Sequence, residues 1–79
     1  MTKSLTIKEK KYIIVEEEIT SEYRKIYILE DENKIIYRLL IEDYRNASFM
    51  YEKFHVAYIN VRGNGSLKTI QVKDIKINK

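Results

Sequence analysis

Aromatic and cationic residues are interleaved at several places along the chain, and they are the residues with the clearest chemical use. Aromatic rings can stack on nucleobases, and Arg and Lys can neutralise phosphates, so this pattern is typical of surfaces that bind single-stranded nucleic acid. Tyr27, Tyr37 and Tyr58 would stack on bases, and five cations would contact phosphates. The full candidate set is Arg24, Lys25, Tyr27, Tyr37, Arg38, Tyr58, Arg62 and Lys68.

The same residues have a plainer interpretation. Tyr is favoured in strands and can fill a core while its hydroxyl reaches water, and most Arg and Lys side chains are solvated surface charges. Burying Arg38 costs more than burying Tyr37, which favours Arg38 on the outer surface of its strand. The opposite assignment stays open and would expose Lys25, Tyr27 and Tyr37 as a stacking platform. In the predicted strand at residues 54–62, the Ala57 side chain is expected to face the core and the Tyr58 side chain to face the outer surface.

An outward Arg38 would leave apolar residues exposed beside it, and this leads to a second hypothesis. The exposed set would be Ile26, Ile28, Ile36 and Leu40. Large exposed apolar patches mark protein partners or self-association surfaces. The alternative function is therefore a small protein-binding module, an inhibitor or an assembly subunit, with a homodimer through an exposed sheet edge as its simplest form. The small size and the Ile, Lys, Tyr and Asn bias would suit a phage or a mobile element.

Catalysis finds little support in the residue types present. His55 is the only histidine and there is no cysteine, so a nucleophile or general base lacks an activating partner. The carboxylates of residues 16–18 would alternate between the two faces of a strand, and those of residues 30–32 suit a hairpin turn better than a metal site. We expect no enzymatic activity, no catalytic residue, no metal site and no cofactor.

Length and composition predict one small domain over residues 1–79. With 79 residues, 44% hydrophobic residues and no cysteine, the fold must rest on one packed apolar core. The net charge of +3 permits a polyanionic partner without requiring one. No apolar run approaches the roughly 20 residues that cross a bilayer, and the start lacks the apolar stretch of a signal peptide. We therefore expect a cytoplasmic protein without a membrane partner.

Runs rich in Ile, Val, Tyr and Thr predict a mainly β fold, because these residues favour strands and Ala occurs only twice. Turn-like clusters separate five predicted strands, at residues 11–19, 24–30, 35–42, 54–62 and 68–77. Leu5 and Ile7 could extend the first strand backward. The strongest local signal is the Gly63-Asn64-Gly65 turn before the fifth strand, because Asn-Gly readily supplies positive φ values.

The apolar alternation changes phase within two of the predicted strands. In the first, the parity that buries the odd-numbered apolar residues would also bury Glu17, so a bulge or a strong bend is expected. In the fifth, Ile70 and Ile75 have opposite parity, which predicts a bulge near residues 73–74.

A helical spacing interrupts the strand pattern between the third and fourth strands, where Asp43 could cap a first turn. The sequence predicts a short helix there, with a strand through residues 48–51 as its rival. The residues at helical spacing are Tyr44, Ala47, Met50 or Tyr51, and Phe54.

Three strands, a helix and a closing hairpin in about 70 residues resemble the OB (oligonucleotide/oligosaccharide-binding) fold, a five-stranded Greek-key barrel. Residues 26–35, an apolar strand ending in Leu29-Glu30-Asp31, resemble the second-strand hairpin of nucleic-acid-binding OB domains. Residues 61–77, with their Gly-Asn-Gly turn, resemble the closing hairpin of those domains. The resemblance implies a ligand that crosses the outer face of the second and third strands.

These observations predict a small five-stranded OB-like barrel with one short helix between its third and fourth strands. Its expected function is non-catalytic binding of single-stranded nucleic acid with low sequence preference. An SH3-like or other small barrel is the alternative architecture.

Overall fold

The chain forms a single antiparallel sheet of seven strands; this computed structural model describes residues 3–49 and 54–78. The mainly β prediction is confirmed. The spatial order is β6-β5-β4-β3-β2-β1-β7, so successive strands from β1 to β6 are neighbours in a meander instead of the expected Greek key. The strands are β1 (Ser4–Ile7), β2 (Lys10–Ile19), β3 (Arg24–Glu30), β4 (Ile36–Asp43), β5 (His55–Val61), β6 (Lys68–Ile70) and β7 (Ile75–Asn78).

The two edge strands, β6 and β7, are separated by only four residues, which include a 3₁₀ turn at Val72–Asp74. A flat sheet of seven strands would hold its edges roughly 29 Å apart. The five steps from Ile70 to Ile75 span at most about 18 Å. The sheet therefore has to curl, and it forms a half-barrel with the core on its concave side.

The fifth predicted strand is divided by this 3₁₀ turn. Ile70 pairs with Ala57 of β5 at one edge of the sheet, whereas Ile75 pairs with Ile7 of β1 at the other edge. The opposite parity of the two isoleucines thus reflects a crossing between edges, and the expected bulge near residues 73–74 is wrong.

The first predicted strand is also two strands. The chain reverses at Lys8 and Glu9, between β1 and β2; Lys8 adopts a φ of 58° and donates its N–H to the carbonyl of Asp74 at 2.8 Å. This reversal lacks the Gly or Asn that usually marks a tight turn. The sheet therefore has seven strands where the sequence predicts five.

The bulge predicted in the first strand is present in β2. The pairing with β3 shifts between Ile14 and Glu16, which leaves Val15 as the extra residue. Glu17 then lies opposite Tyr27 on the concave side, where it stays exposed to solvent and contacts the Lys3 ammonium at 3.3 Å.

The expected helix between β4 and β5 is wrong for residues 44–49 and Phe54, which form turns and an extended entry to β5. The rival strand is absent at residues 48–49 as well, and Met50 and Tyr51 lie outside the described residues. Asp43 accepts two hydrogen bonds from the Arg45 side chain, at 2.8 and 2.6 Å, instead of capping a helix.

The aromatic spacing in this segment serves a ring cluster. The Tyr44 ring lies 5.6 Å from Tyr23, 6.3 Å from Phe49 and 4.7 Å from Phe54, measured between ring centroids. The aromatic residues whose spacing matches a helix therefore pack into a ring cluster along an irregular connection between β4 and β5.

The core lines the concave side, where β3, β4 and β5 contribute alternate residues. Leu5, Leu29 and Leu39 are completely buried. The remaining members of the core cluster are Ile7, Tyr12, Tyr27, Ile41, Ala57 and Ile59. The inward Ala57 confirms the face predicted for the fourth strand.

Adjacent leucines on opposite faces of β4 provide a test of this register. We expect Leu39→Ala to lower the free energy of unfolding by about 2–5 kcal/mol, because it opens a cavity in the core. Leu40→Ala, on the half-buried outer face, should cost less than half as much. Urea denaturation measures both variants, and equal losses would contradict the assigned faces.

Candidate functional site

The curled sheet divides the eight predicted binding residues between its two sides. The outer side carries Arg24, Arg38 and Tyr58, and Arg62 follows the end of β5. The outward Arg38 agrees with the cost of burying a guanidinium. The concave-side positions, by strand alternation and pairing, are Lys25, Tyr27, Tyr37 and Lys68.

Two of the three rings predicted to stack on bases point away from the outer face. Tyr27 is 3% exposed and belongs to the core, where burial and the charge of Glu17 raise its pKa. Tyr37 makes an edge contact with Tyr12, at 5.4 Å between centroids and 84° between planes. Only Tyr58 is on the outer side, so the predicted stacking surface of three rings is not assembled.

The two concave-side lysines are also separated from each other. Lys25 lines a small cleft with Tyr23 and Asp43, close to the end of β4. Lys68 lines a different and larger cleft at the opposite, open end of the half-barrel. The eight predicted residues therefore do not form one surface.

The outer side of the three central strands carries an apolar surface, which we call the outer patch. Ile26 lies opposite Leu40, which lies opposite Tyr58 in the next strand. All residues of the patch are half-buried. The outer patch consists of Ile26, Ile28, Ile36, Leu40 and Tyr58, and Arg38 lies within it.

Charged residues flank the outer patch asymmetrically. Glu16 and Glu18 of β2 are exposed and lie opposite Ile28 and Ile26. On the other side of Ile28, the opposite residue is Arg38 of β4. The patch thus has an acidic border on β2 and a cation on β4.

The open end of the half-barrel contains a cleft of about 1260 Å³. The cleft is lined by the β1–β2 turn and the start of β2, by the turn after β3, and by the chain around β6; these are residues 8–11, 30–34 and 68–71. The best-connected polar cluster of the cleft consists of Lys10, Tyr12, Asp31 and Tyr37.

Asp31 is the centre of this cluster, and its side chain is 1% exposed. One carboxylate oxygen accepts the N–H groups of Asn33 and Ile35, at 2.8 and 3.0 Å. The other accepts the Tyr37 hydroxyl at 2.8 Å and lies 3.7 Å from the Lys10 ammonium. Burial alone would raise the pKa of Asp31, but these hydrogen bonds and the ammonium outweigh it and hold the pKa below its ordinary value.

The pKa values of Tyr37 and Lys10, which contact Asp31, are raised, whereas the pKa of Asp31 is lowered. Donation to the Asp31 carboxylate, together with burial, raises the pKa of Tyr37. The adjacent Tyr12 and Tyr37 phenols, and then the Asp31 carboxylate, raise the pKa of Lys10. At neutral pH the cluster therefore holds the Lys10 ammonium, the Asp31 carboxylate and a neutral Tyr37 phenol.

Within this cluster, only the turn that contains Asp31 is predictable from the sequence. Asp31 was predicted as part of a polar hairpin turn, and that turn is confirmed by the bond from the Lys34 N–H to the Asp31 carbonyl, at 3.1 Å. The six-residue spacing from Asp31 to Tyr37 is a weak signal for their hydrogen bond. No local pattern connects Lys10 or Tyr12 to the turn.

The lowered pKa of Asp31 predicts how stability depends on pH. The stabilisation from the ionised carboxylate should be fully present above the ordinary Asp pKa of about 3.9, and lost as the pH falls through the lower folded-state pKa. Asp31→Asn should therefore be less stable than the original chain at neutral pH, and this difference should shrink in acid. Urea denaturation at a series of pH values measures it. Glu32→Gln, an exposed change in the same turn, is the control, and a constant difference for Asp31→Asn would contradict the assignment.

Residues 3–49 and 54–78 contain neither a cluster of metal-binding side chains nor a membrane-spanning helix. No three His, Asp or Glu side chains there are grouped closely enough to hold a metal ion. No helix in those ranges has the length and apolar character to span a bilayer. Comparisons with protein-family models, curated proteins and solved structures find no match for the chain.

Proposed function

We propose that this chain is a protein-binding module, an assembly subunit whose outer patch docks on a second copy of the same chain. The observation that carries the proposal is the continuous apolar row Ile26–Leu40–Tyr58 on the convex side of the sheet. The other side of the same strands already holds the core. Contiguous apolar surface rimmed by charges is typical of protein interaction sites.

The charges around the patch favour a second copy as the partner. Glu16, Ile28 and Arg38 follow one another across three strands, so the acid and the base are about 10 Å apart on either side of β3. A two-fold axis running along β3, between two facing sheets, would bring Glu16 of each copy over Arg38 of the other. Such an isologous contact is self-complementary in both charge and apolar surface.

The first test is self-association. Sedimentation equilibrium from low micromolar to millimolar concentration should show a reversible monomer–dimer equilibrium. Ile28→Lys should give a monomer, because it places two ammonium groups in the apolar centre of the contact. Gln71→Lys adds the same side chain at an exposed position away from the patch and should dimerise normally. A monomer throughout for the original chain would overturn the proposal.

Charge exchange provides the second part of this test. Arg38→Glu and Glu16→Arg should each raise the dissociation constant at least about tenfold, since each creates two like-charge contacts. The double variant should recover most of the affinity, because the opposite charges meet again. A double variant weaker than either single variant would contradict the two-fold arrangement along β3.

A second candidate function is binding of single-stranded nucleic acid through the same side of the sheet. The specific observation is that Tyr58 and Arg38 are diagonal neighbours on the outer face. Arg24 lies on the same face. Arg62 follows β5 beside Ile36, and the backbone N–H of Arg62 donates to the carbonyl oxygen of Ile36 at 2.9 Å. A ring next to several cations is the arrangement that single-strand binding requires.

Titration of a fluorescein-labelled oligothymidine tests this candidate. Binding should weaken steeply as salt rises, and Arg38→Ala should reduce the slope of log K against log salt by about 0.7, the value for one lost contact to single strands. Lys68→Ala, on the concave side, should leave the slope unchanged. Absence of binding at low salt, or binding indifferent to salt, would exclude the candidate.

A further inference from the structure

The side chain of Lys10 extends into a corner between two tyrosine rings at the open end of the half-barrel. The ring planes of Tyr12 and Tyr37 are inclined at 84°, with centroids 5.4 Å apart. The Lys10 ammonium lies 5.4 Å from the Tyr12 centroid and 5.8 Å from the Tyr37 centroid. These distances fall within the range of cation–π attraction.

A third wall of the corner carries a negative charge. The Asp31 carboxylate lies 3.7 Å from the Lys10 ammonium, and it is held by the hydroxyl of Tyr37 and by two backbone N–H groups of its own turn. Because these bonds do not involve Lys10, the carboxylate would keep its position if the ammonium left.

We propose that the corner formed by Tyr12, Tyr37 and Asp31 is a binding site for an alkylammonium group, and that Lys10 occupies it as an intramolecular substitute for that ligand. Two rings at right angles and a carboxylate form the environment that recognises lysine and quaternary ammonium groups. The site lies on the concave side, away from the outer patch, and is independent of the proposed dimer.

Lys10 is suited to being displaced. Its side chain is 49% exposed, and its separation of 3.7 Å from Asp31 is longer than a charge-assisted hydrogen bond. Its backbone pairs with Ile7 in the β1–β2 hairpin, so the flexible side chain can rotate away without changing the sheet.

The surroundings of the corner can admit a ligand. The corner opens into the cleft of about 1260 Å³, which is wide enough for an incoming side chain or a small cation. Four further lysines and four further carboxylates line that cleft, so its border charges balance and do not repel a cation as a whole. The local charge at the corner itself is set by Asp31.

The experiment removes the internal occupant and supplies an external one. Choline is titrated into Lys10→Ala, followed by NMR of the ring protons of Tyr12 and Tyr37 and of the choline methyl groups. We expect both rings to shift, the methyl signals to move upfield, and the dissociation constant to fall at least about tenfold below that of the original chain. Lys11→Ala is the matched control, since it removes the same charge one residue further along β2, from a side chain that also borders the cleft but lies on the opposite face of the strand, outside the corner.

Three additional titrations distinguish recognition of an ammonium group from nonspecific binding in the cleft. The neutral isostere 3,3-dimethylbutan-1-ol should bind much more weakly than choline, because it lacks the charge. Nα-acetyl-lysine methylamide should shift the same rings and so report on primary ammonium groups. Tyr12→Leu in the Lys10→Ala background should reduce choline affinity several-fold.

Specific results would overturn the proposal. These are choline binding no tighter to Lys10→Ala than to Lys11→Ala, equal binding of the neutral isostere, or shifts confined to rings other than Tyr12 and Tyr37. If Lys10→Ala does not fold, Lys10→Gln removes the charge while retaining a polar group beside Asp31. The same titration then applies to Lys10→Gln, with the same expected and contrary outcomes.

Discussion

The short connection through residues 71–74 is the constraint on which the structure depends. It joins the two edges of a seven-stranded sheet and so forces the sheet to curl. Curling produces a concave side on which one layer of strands encloses a core, with Leu5, Leu29 and Leu39 completely buried. The same curvature places the outer patch, including Ile26 and Leu40, on the convex side of the sheet.

The open end of the half-barrel is organised by one buried carboxylate. Asp31 satisfies two N–H groups of its own turn, the hydroxyl of Tyr37 and the nearby Lys10 ammonium. A buried charge without these partners would be costly, so the turn, the ring and the ammonium depend on one another. This dependence gives the cleft a defined shape and a defined charge, and it makes the cluster both a structural element and a candidate site.

The three central strands could be predicted to within a residue or two from the sequence, whereas the ends of the chain could not. β3 matches the predicted 24–30, and β4 and β5 differ only at their ends, because alternation and turn residues act over a few neighbouring positions. The reversal at Lys8 and Glu9 carries no such local signal. The expected helix was wrong because its aromatic spacing builds a ring cluster around Tyr44 instead.

By itself, the sequence determined the strand-rich character of the chain and the limits of its central strands, which follow from local preference. It favoured an outward Arg38 because of the cost of burying a guanidinium, and left the opposite facing open. Only the tertiary structure decided that Tyr27 and Tyr37 face the concave side, and that Lys10 meets Asp31. Those contacts join residues that are distant in the chain. They exist because the sheet curls, and its curvature is a property of the whole set of pairings.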